Sequence, residues 1–350
     1  MEPIPVAILG ATGAVGQRFV QLLDHHPWFK VTTLCASDRS VGKTYAEGCR
    51  WLLDTPMPEW AREMVLQPTI AEVINEPIVF SALPADVAFD LEPALAQKGC
   101  VVCSNASAHR MDEDVPLILP EVNAEHVDLV HWQRQRRAWR GAIVTNPNCT
   151  STGMTVVLKA LDQIFGVKRV IAVSMQALSG AGYPGVASLD ITDNVIPYIR
   201  GEEEKVSLEP RKMLGVLKDG QIKFHPVAIS AQTNRVAVLD GHLVCLSVEC
   251  DTRPTPEEAL RALESFVTPD WLMDLPSTPK PPIVVRREND RPQPRLDRMT
   301  GRGMSTVVGR VRADEVLDLK MVVLSHNTIR GAAGASIYNA ELIVRKGLLP

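Results

Sequence analysis

The stretch "VAILGATGAVGQRFV", Val6 to Val20, constrains this chain more than any other. An apolar run leads into Gly10, Gly13 and Gly16, and a helical pattern follows. Glycines at a strand-to-helix turn permit a tight reversal, a close backbone approach to a pyrophosphate and close helix–strand packing, with the phosphates at the helix N-terminus. The spacing is G-x-x-G-x-x-G rather than G-x-G-x-x-G, so the surrounding pattern has to support the reading. "KVTTLCAS", "PIVFSAL", "GCVVCSN" and "GAIVTN" follow as short β-rich runs separated by helix or loop, which implies a mostly parallel sheet with right-handed crossovers. The chain is therefore expected to be α/β and to open with a Rossmann-type nucleotide-binding domain.

A chain of 350 residues is too long for one typical core, so two domains are expected. The pattern changes after Cys149. "VKRVIAVSMQALSGAG", "IKFHPVAISAQTNRVAVLDGHLVCLSVEC" and "MSTVVGRVRADEVLDLKMVVLSHN" are longer and read as an antiparallel sheet, with helices at "TPEEALRALESFV" and "DITDNVIPYIRG". This predicts an α+β catalytic and dimerisation domain over 149–327 with a mixed or antiparallel sheet. Residues 1–148 form the first domain, completed by a C-terminal helix within 328–350. Leu275 to Gly303, rich in proline and charge, reads as a long ordered connection or arm.

Several function classes are excluded at this stage. The net charge of −4 gives no global pull toward nucleic acid or an anionic membrane. No apolar run approaches the roughly 20 residues of a membrane helix. The N-terminus carries an acid where a signal peptide would carry basic residues, and a cytoplasmic location is expected. The cluster "WQRQRRAWRG" reads as a solvated helix face with its tryptophans turned inward. Seven cysteines lack the density of a disulfide framework, and Cys100 and Cys103 form a C-x-x-C inside an apolar strand with no second ligand pair, so no metal site is expected.

One cysteine sits differently. "TNPNCTSTG" places Cys149 at the first turn of a predicted helix, after two asparagines and a proline and before three hydroxyl residues. Unpaired N–H groups and partial positive charge at a helix N-terminus stabilise anions, so a lowered thiol pKa and nucleophilic character are expected. A nicotinamide domain combined with such a thiolate points to aldehyde chemistry through a thioester, which needs an acid/base, oxyanion donors and an anchor for the substrate carboxylate. "RVAVLDGHLV" offers Arg235 and His242, read as sharing one strand with an intervening bulge. For the cofactor, Ser37, Arg39 and Ser40 offer two hydroxyls and a guanidinium to a 2′-phosphate, whereas Asp38 would suit a free ribose. The strong pairing of arginine with phosphate favours NADP (NADPH).

Together, "TNPNCTSTG", "MQALSGAG", "GEEEK" and "RVAVLDGH" resemble the aspartate-semialdehyde dehydrogenase family in its archaeal and fungal branch, and the likeness runs from the Gly10 loop to "HNTIRGAAGAS". The resemblance implies Cys149 as nucleophile, His242 as acid/base, Gln176 orienting the substrate and Arg235 clamping its α-carboxylate. Glu202 would meet the α-amino group, with Glu203 as the alternative. Lys205, Asn148 and Arg110 would bind phosphate. Cofactor contacts are expected from Gly10, Thr12, Gly13, Ala14, Val15, Gly16, Ser81 and Ala82, and, by the same likeness, from Ser179, Gly180 and Asn327 near the nicotinamide. The implied activity is NADPH-dependent reduction of L-aspartyl-4-phosphate to the 4-semialdehyde and inorganic phosphate, at the branch point toward lysine, methionine, threonine and isoleucine. The partners implied are the small-molecule substrate, phosphate and further copies of the chain in a homodimer or homotetramer. A malonyl-CoA reductase with the same thioester chemistry is the alternative.

Overall fold

The computed structural model describes residues 2–350. β1 (Ile4–Leu9), β2 (Phe29–Ala36), β3 (Gln67–Pro68), β4 (Ile78–Ser81), β5 (Val101–Ser104) and β6 (Ala142–Thr145) form one sheet. Its order is β3-β2-β1-β4-β5-β6 and every pairing is parallel. The continuous apolar runs of β4, β5 and β6 are buried throughout, as expected of parallel strands covered on both faces. Cys103 lies in β5 and Cys100 just before it, both buried, and the described residues contain no cluster able to hold a metal ion. Strand order reverses between β1 and β4, which opens a crevice at their C-terminal ends.

The second sheet contains β7 (Val167–Gln176), β10 (Ala228–Arg235), β11 (His242–Cys250), β12 (Ile283–Arg286), β13 (Thr306–Ala313) and β14 (Leu319–Ser325), while β8 (Val216–Lys218) and β9 (Gln221–Lys223) pair as a separate hairpin. The sheet is mixed: the two edge pairs, β10–β7 and β12–β13, are parallel and the central pairs antiparallel. β12 lies inside the segment read as an arm. Prolines on its N-terminal side and charge on its C-terminal side hide a short edge strand, pinned by fully buried Asp297, which accepts from Arg286 Nε (2.9 Å) and Arg291 Nε (2.6 Å).

"DITDNVIPYIRG" is a single turn, Ser188–Ile191, rather than a helix. Asp193 at φ +57° breaks it, and Ile196 instead bridges to Arg235. The helix begins after Gly201 and runs Glu202–Met213. "WQRQRRAWRG" is largely the Leu129–Arg137 helix, but Trp132 faces outward, 40% exposed beneath Arg136. No helix among the described residues is long and apolar enough to cross a membrane.

The Cys149–Phe165 helix is buried along most of its length and packs on the second sheet through Met154, Val157, Leu158 and Leu161. The C-terminal segment returns to the first sheet. A π-helical turn, Ile329–Ala333, leads into the Gly334–Arg345 helix, whose Ile337, Tyr338, Leu342 and Ile343 join the core around β1, β2 and β4.

Candidate functional site

A cleft of about 990 Å³ runs from the Gly10 turn to Cys149, lined by residues of both sheets' ends. At one end, Gly10 adopts φ +70°, and a Cβ there would stand 2.7 Å from the Ala82 carbonyl oxygen. Only glycine fits that turn. A Cβ on Gly16 would stand 2.2 Å from the Gly10 oxygen, so this third glycine serves helix–strand packing and does not line the cleft. No side chain caps the Ala14–Leu22 helix at Gly13, which leaves its first N–H groups for an anion. Gly10, Thr12, Gly13, Ala14, Val15, Ser37, Asp38 and Ala82 line this end. Ser81 is buried below it, at the tip of β4.

The residues read as holding a 2′-phosphate separate. Arg39 is exposed just beyond the lining, and Ser40 Oγ donates to the Gly48 carbonyl (3.2 Å) rather than pointing into the cleft. These features fit a dinucleotide: an unblocked helix N-terminus for the pyrophosphate and, near the adenosine end, a mobile-length guanidinium beside Ser37 and Asp38.

At the other end, three strand ends converge. Arg235 pairs in register with Gln176 across β10 and β7, and β11 runs antiparallel to β7, so its first residue, His242, emerges on the same side. Arg235 and His242 therefore stand on different strands joined by a loop, not on one bulged strand, and β7 lies between them. Asn148 caps the thiol-bearing helix, its Oδ1 accepting from the N–H groups of Thr150 (2.9 Å) and Ser151 (3.2 Å). Cys149 Sγ then lies 3.1 Å from His242 Nε2. The Ala177 N–H donates to His242 Nδ1 (3.0 Å), so the proton of the neutral ring sits on Nε2 and faces the sulfur.

Electrostatics at this pair differ from the sequence expectation. Burial, reinforced by the Glu202 carboxylate, pushes the Cys149 thiol up to about 12, against the pull of Arg110 and Arg235. Burial, with Arg235 and His326, pushes the His242 imidazolium down to about 3. Desolvation outweighs the helix N-terminus here, and both shifts favour the neutral forms.

Glu202, though it opens a helix with three consecutive glutamates, is only 6% exposed. Its Oε1 accepts from Asn148 Nδ2 (2.8 Å) and Gln176 Nε2 (3.0 Å), while Lys205 Nζ stands 3.9 Å from its Oε2. Glu203 turns away and accepts from the Thr233 N–H (3.0 Å). The Asn148 amide is thus engaged by the cap and by Glu202. Arg235 Nη1 donates to the Ala177 carbonyl (2.7 Å). Arg110 is buried, yet its Nε has no partner. Asn327 bridges two loops, accepting from the Gly241 N–H (2.8 Å) and donating to Ser179 Oγ (2.7 Å). Arg110, Asn148, Cys149, Gln176, Ser179, Gly180, Glu202, Lys205, Arg235 and Asn327 all line the cleft, and His242 lies directly behind Cys149.

Sequence reasoning missed four supports. Glu209 is buried under the site and grips Arg110 Nη1 (2.9 Å). Buried Lys212 donates to the carbonyls of Arg110, Asp112 and Val115 at 2.7–2.8 Å. Arg18, on the glycine-loop helix, reaches Asp240 Oδ2 (3.2 Å), two residues before His242. Arg50 Nη1 donates to the Tyr183 hydroxyl (2.5 Å) across the cleft mouth. A signal for the first two exists: 202, 205, 209 and 212 follow i, i+3, i+7, i+10 spacing, one face of a helix.

Known proteins share this architecture. Residues 5–130 match the family model "Semialdehyde dehydrogenase, NAD binding domain" and residues 158–330 match "Semialdehyde dehydrogenase, dimerisation domain". The aspartate-semialdehyde dehydrogenase of Archaeoglobus fulgidus is 52% identical, covering 98% of this chain and 99% of its own length. That of Schizosaccharomyces pombe is 46% identical, with 98% and 99% covered. The Candida albicans enzyme, solved with NADP, superposes with a TM-score of 0.91 at 40% identity over 99% of each chain. A Vibrio cholerae aspartate semialdehyde dehydrogenase II complexed with ASA superposes at 0.78 with 27% identity, again over 99% of each chain. A glycine-loop crevice joined to a half-buried thiol beside a buried imidazole, and relatives of this identity over the full length, establish that the chain belongs to the aspartate-semialdehyde dehydrogenase family.

Proposed function

We propose that the cleft carries out the reversible, NADPH-dependent reduction of L-aspartyl-4-phosphate to L-aspartate-4-semialdehyde and phosphate through a thioester on Cys149, a step of amino-acid biosynthesis. The observation that carries this reading is the disposition of charge around the sulfur. One carboxylate, Glu202, and three cations, Arg235, Lys205 and Arg110, line the cleft beside a single nucleophile, with Glu209 buried behind the lining. An amino acid activated as an acyl phosphate offers one ammonium and two anionic groups, the complement of that set.

Each residue has a task in this reading. Arg235 takes the α-carboxylate and Glu202 the ammonium, while Gln176, fixed by its bond to Glu202, orients the carbonyl. Arg110 and Lys205, both lining the cleft, receive phosphate. Asn148 reaches phosphate only by loosening its bond to Glu202. Cys149 sulfur attacks the acyl carbon as the bond to phosphate breaks, and the thiol proton leaves with the phosphate, since His242 Nε2 already carries its own. His242 presents Nε2–H to the sulfur and then to the oxygen of the tetrahedral adduct, handling its proton as the adduct forms and collapses. The bound cofactor supplies the hydride. Gly10, Thr12, Gly13, Ala14, Val15 and Ala82 would hold its pyrophosphate end, Arg39 with Ser37 its 2′-phosphate, and Ser179, Gly180 and Asn327 the nicotinamide end.

The chain is read as two functional domains, 1–148 with 328–350 and 149–327. Its second domain would join copies into a homodimer or homotetramer in the cytoplasm. Ile171, 43% exposed on β7, marks the outer sheet face offered for that contact. The deciding assay is phosphate-dependent oxidation of aspartate semialdehyde by NADP, monitored at the nicotinamide. Efficient reduction of malonyl-CoA with no phosphate-dependent oxidation would overturn the reading.

A further inference from the structure

Glu209 has no place in the sequence reading, yet its carboxylate grips both Arg110 and the chain segment carrying the thiol. It lies two turns along the Glu202–Met213 helix from Glu202 and is 2% exposed. Its Oε1 accepts from Arg110 Nη1 (2.9 Å). Its Oε2 accepts from the Asn148 N–H (2.6 Å), one residue before Cys149. Arg110 is further held by Nη2 donating to the Asn105 carbonyl (2.7 Å). Each terminal nitrogen is engaged once, which sets the rotamer and leaves a second N–H on each, while Nε is buried without a partner.

Charge adds a second consequence. Arg110 is neutralised by a carboxylate it cannot leave, and Lys205 stands opposite Glu202. The phosphate pocket therefore holds as many carboxylates as cations. A phosphate arriving there meets directed donors but little net positive charge, which keeps its binding weak and its departure easy. Lys212, one turn further on, fixes the other end of the Arg110 segment through three carbonyls, so the loop cannot shift to compensate.

We propose that Glu209 is a positioning residue that aims Arg110 at phosphate and presets the first turn of the Cys149 helix, at the expense of phosphate affinity. The proposal rests on the phosphate site described above. It makes a prediction of opposite sign in two kinetic parameters. In Glu209→Gln the amide oxygen can keep Arg110, but the amide nitrogen faces the Asn148 N–H and cannot accept from it. The Arg110 charge is then uncompensated while the helix start is loosened. In phosphate-dependent oxidation, KM for phosphate should fall about fivefold, the scale of one newly unscreened charge, while kcat falls about tenfold or more. KM for the aldehyde and NADPH affinity should stay within twofold, since neither touches Glu209.

A merely structural role would lower the melting temperature and depress kcat without tightening phosphate, and that result overturns the proposal. So does an unchanged kcat. Should Glu209→Gln not fold, as judged by NADPH binding, Glu209→Asp decides. It keeps the charge and shortens the reach, so kcat should fall while KM for phosphate stays within twofold; wild-type kcat in this variant overturns the proposal. Failure of the functional reading would show separately, as absence of phosphate-dependent turnover in the wild-type protein.

Discussion

At its glycine-loop end the cleft is walled by backbone and small side chains, Gly10, Thr12, Gly13 and Ala14, and the Arg39 side chain stands in solvent beyond the lining. At its thiol end the walls are Arg110, Gln176, Glu202 and Arg235, polar or charged and nearly all buried, each held by another. The first end recognises by shape and by N–H groups that exist in any helix start. The second recognises by charges taken out of water, each of which would be costly without its partner. Damage at the two ends should therefore spread differently: locally at the cofactor end, across the whole network at the thiol end.

The largest test removes the nucleophile. Cys149→Ala should lower turnover by at least ~10³-fold, the scale on which removal of a covalent nucleophile is felt. NADPH affinity, measured by fluorescence titration, should not change, because the cofactor end shares no hydrogen bond with the thiol. A parallel loss of cofactor binding would mean the two ends are not separable.

Acid should act next, and on the thiol end first. His242 is pushed down to about 3 and His126 to about 4 by burial. His126 ties the first domain to the Gly215 carbonyl (3.1 Å), just beyond the Glu202–Met213 helix. Both folded values lie below the ordinary 6.5, so their stabilisation is complete above pH 6.5 and is lost as pH falls toward 4 and 3. Calorimetry should show the melting temperature falling by several degrees between pH 6.5 and 4.5. A flat profile over that window would contradict the neutral-imidazole description.

Neutralising one wall is a smaller change. Glu202→Gln should lower kcat/KM for the aspartyl substrate by about ten- to a hundredfold, the value of one hydrogen bond to a charged group. It should leave KM for NADPH alone. Equal activity in this variant would show that the substrate ammonium is met elsewhere, and Glu203→Gln would then be the informative variant.

The smallest and most local effect belongs to Arg39→Ala. The exposed guanidinium can supply one charge-assisted contact, so NADPH should bind about tenfold more weakly while NADH is little affected. Equal weakening of both would mean that Arg39 does not read the 2′-phosphate.

The same contrast explains what was legible in the sequence. Gly10, Gly13 and Gly16 encode their role in spacing alone, because a turn is a local object, and the first sheet followed from short apolar runs buried on both faces. Cys149 was legible from its place at a helix start, although its protonation was not, since desolvation comes from residues distant in sequence. Arg235 and His242 were found as neighbours in sequence for a reason that proved incorrect; a third strand inserted between them brings them together. Glu209 gave no sign beyond its helical phase with Glu202. The edge strand β12 was hidden for another reason: four residues flanked by proline and arginine lack the length to show a period.

The π-helical turn at Ile329–Ala333 has a bearing on how this molecule comes into being. Gly331 lies so close to the thiol-bearing residue that a Cβ there would stand 2.7 Å from Cys149 Cβ. Segment 328–350 also fills the core around β1, which precedes every other strand of that sheet in the chain. The core of the first sheet is thus begun by β1 and finished by a segment made only after the whole second sheet. The same late segment seats glycine backbone against the cysteine, so a chain cut short before residue 328 would carry an open first core and an unseated thiol together.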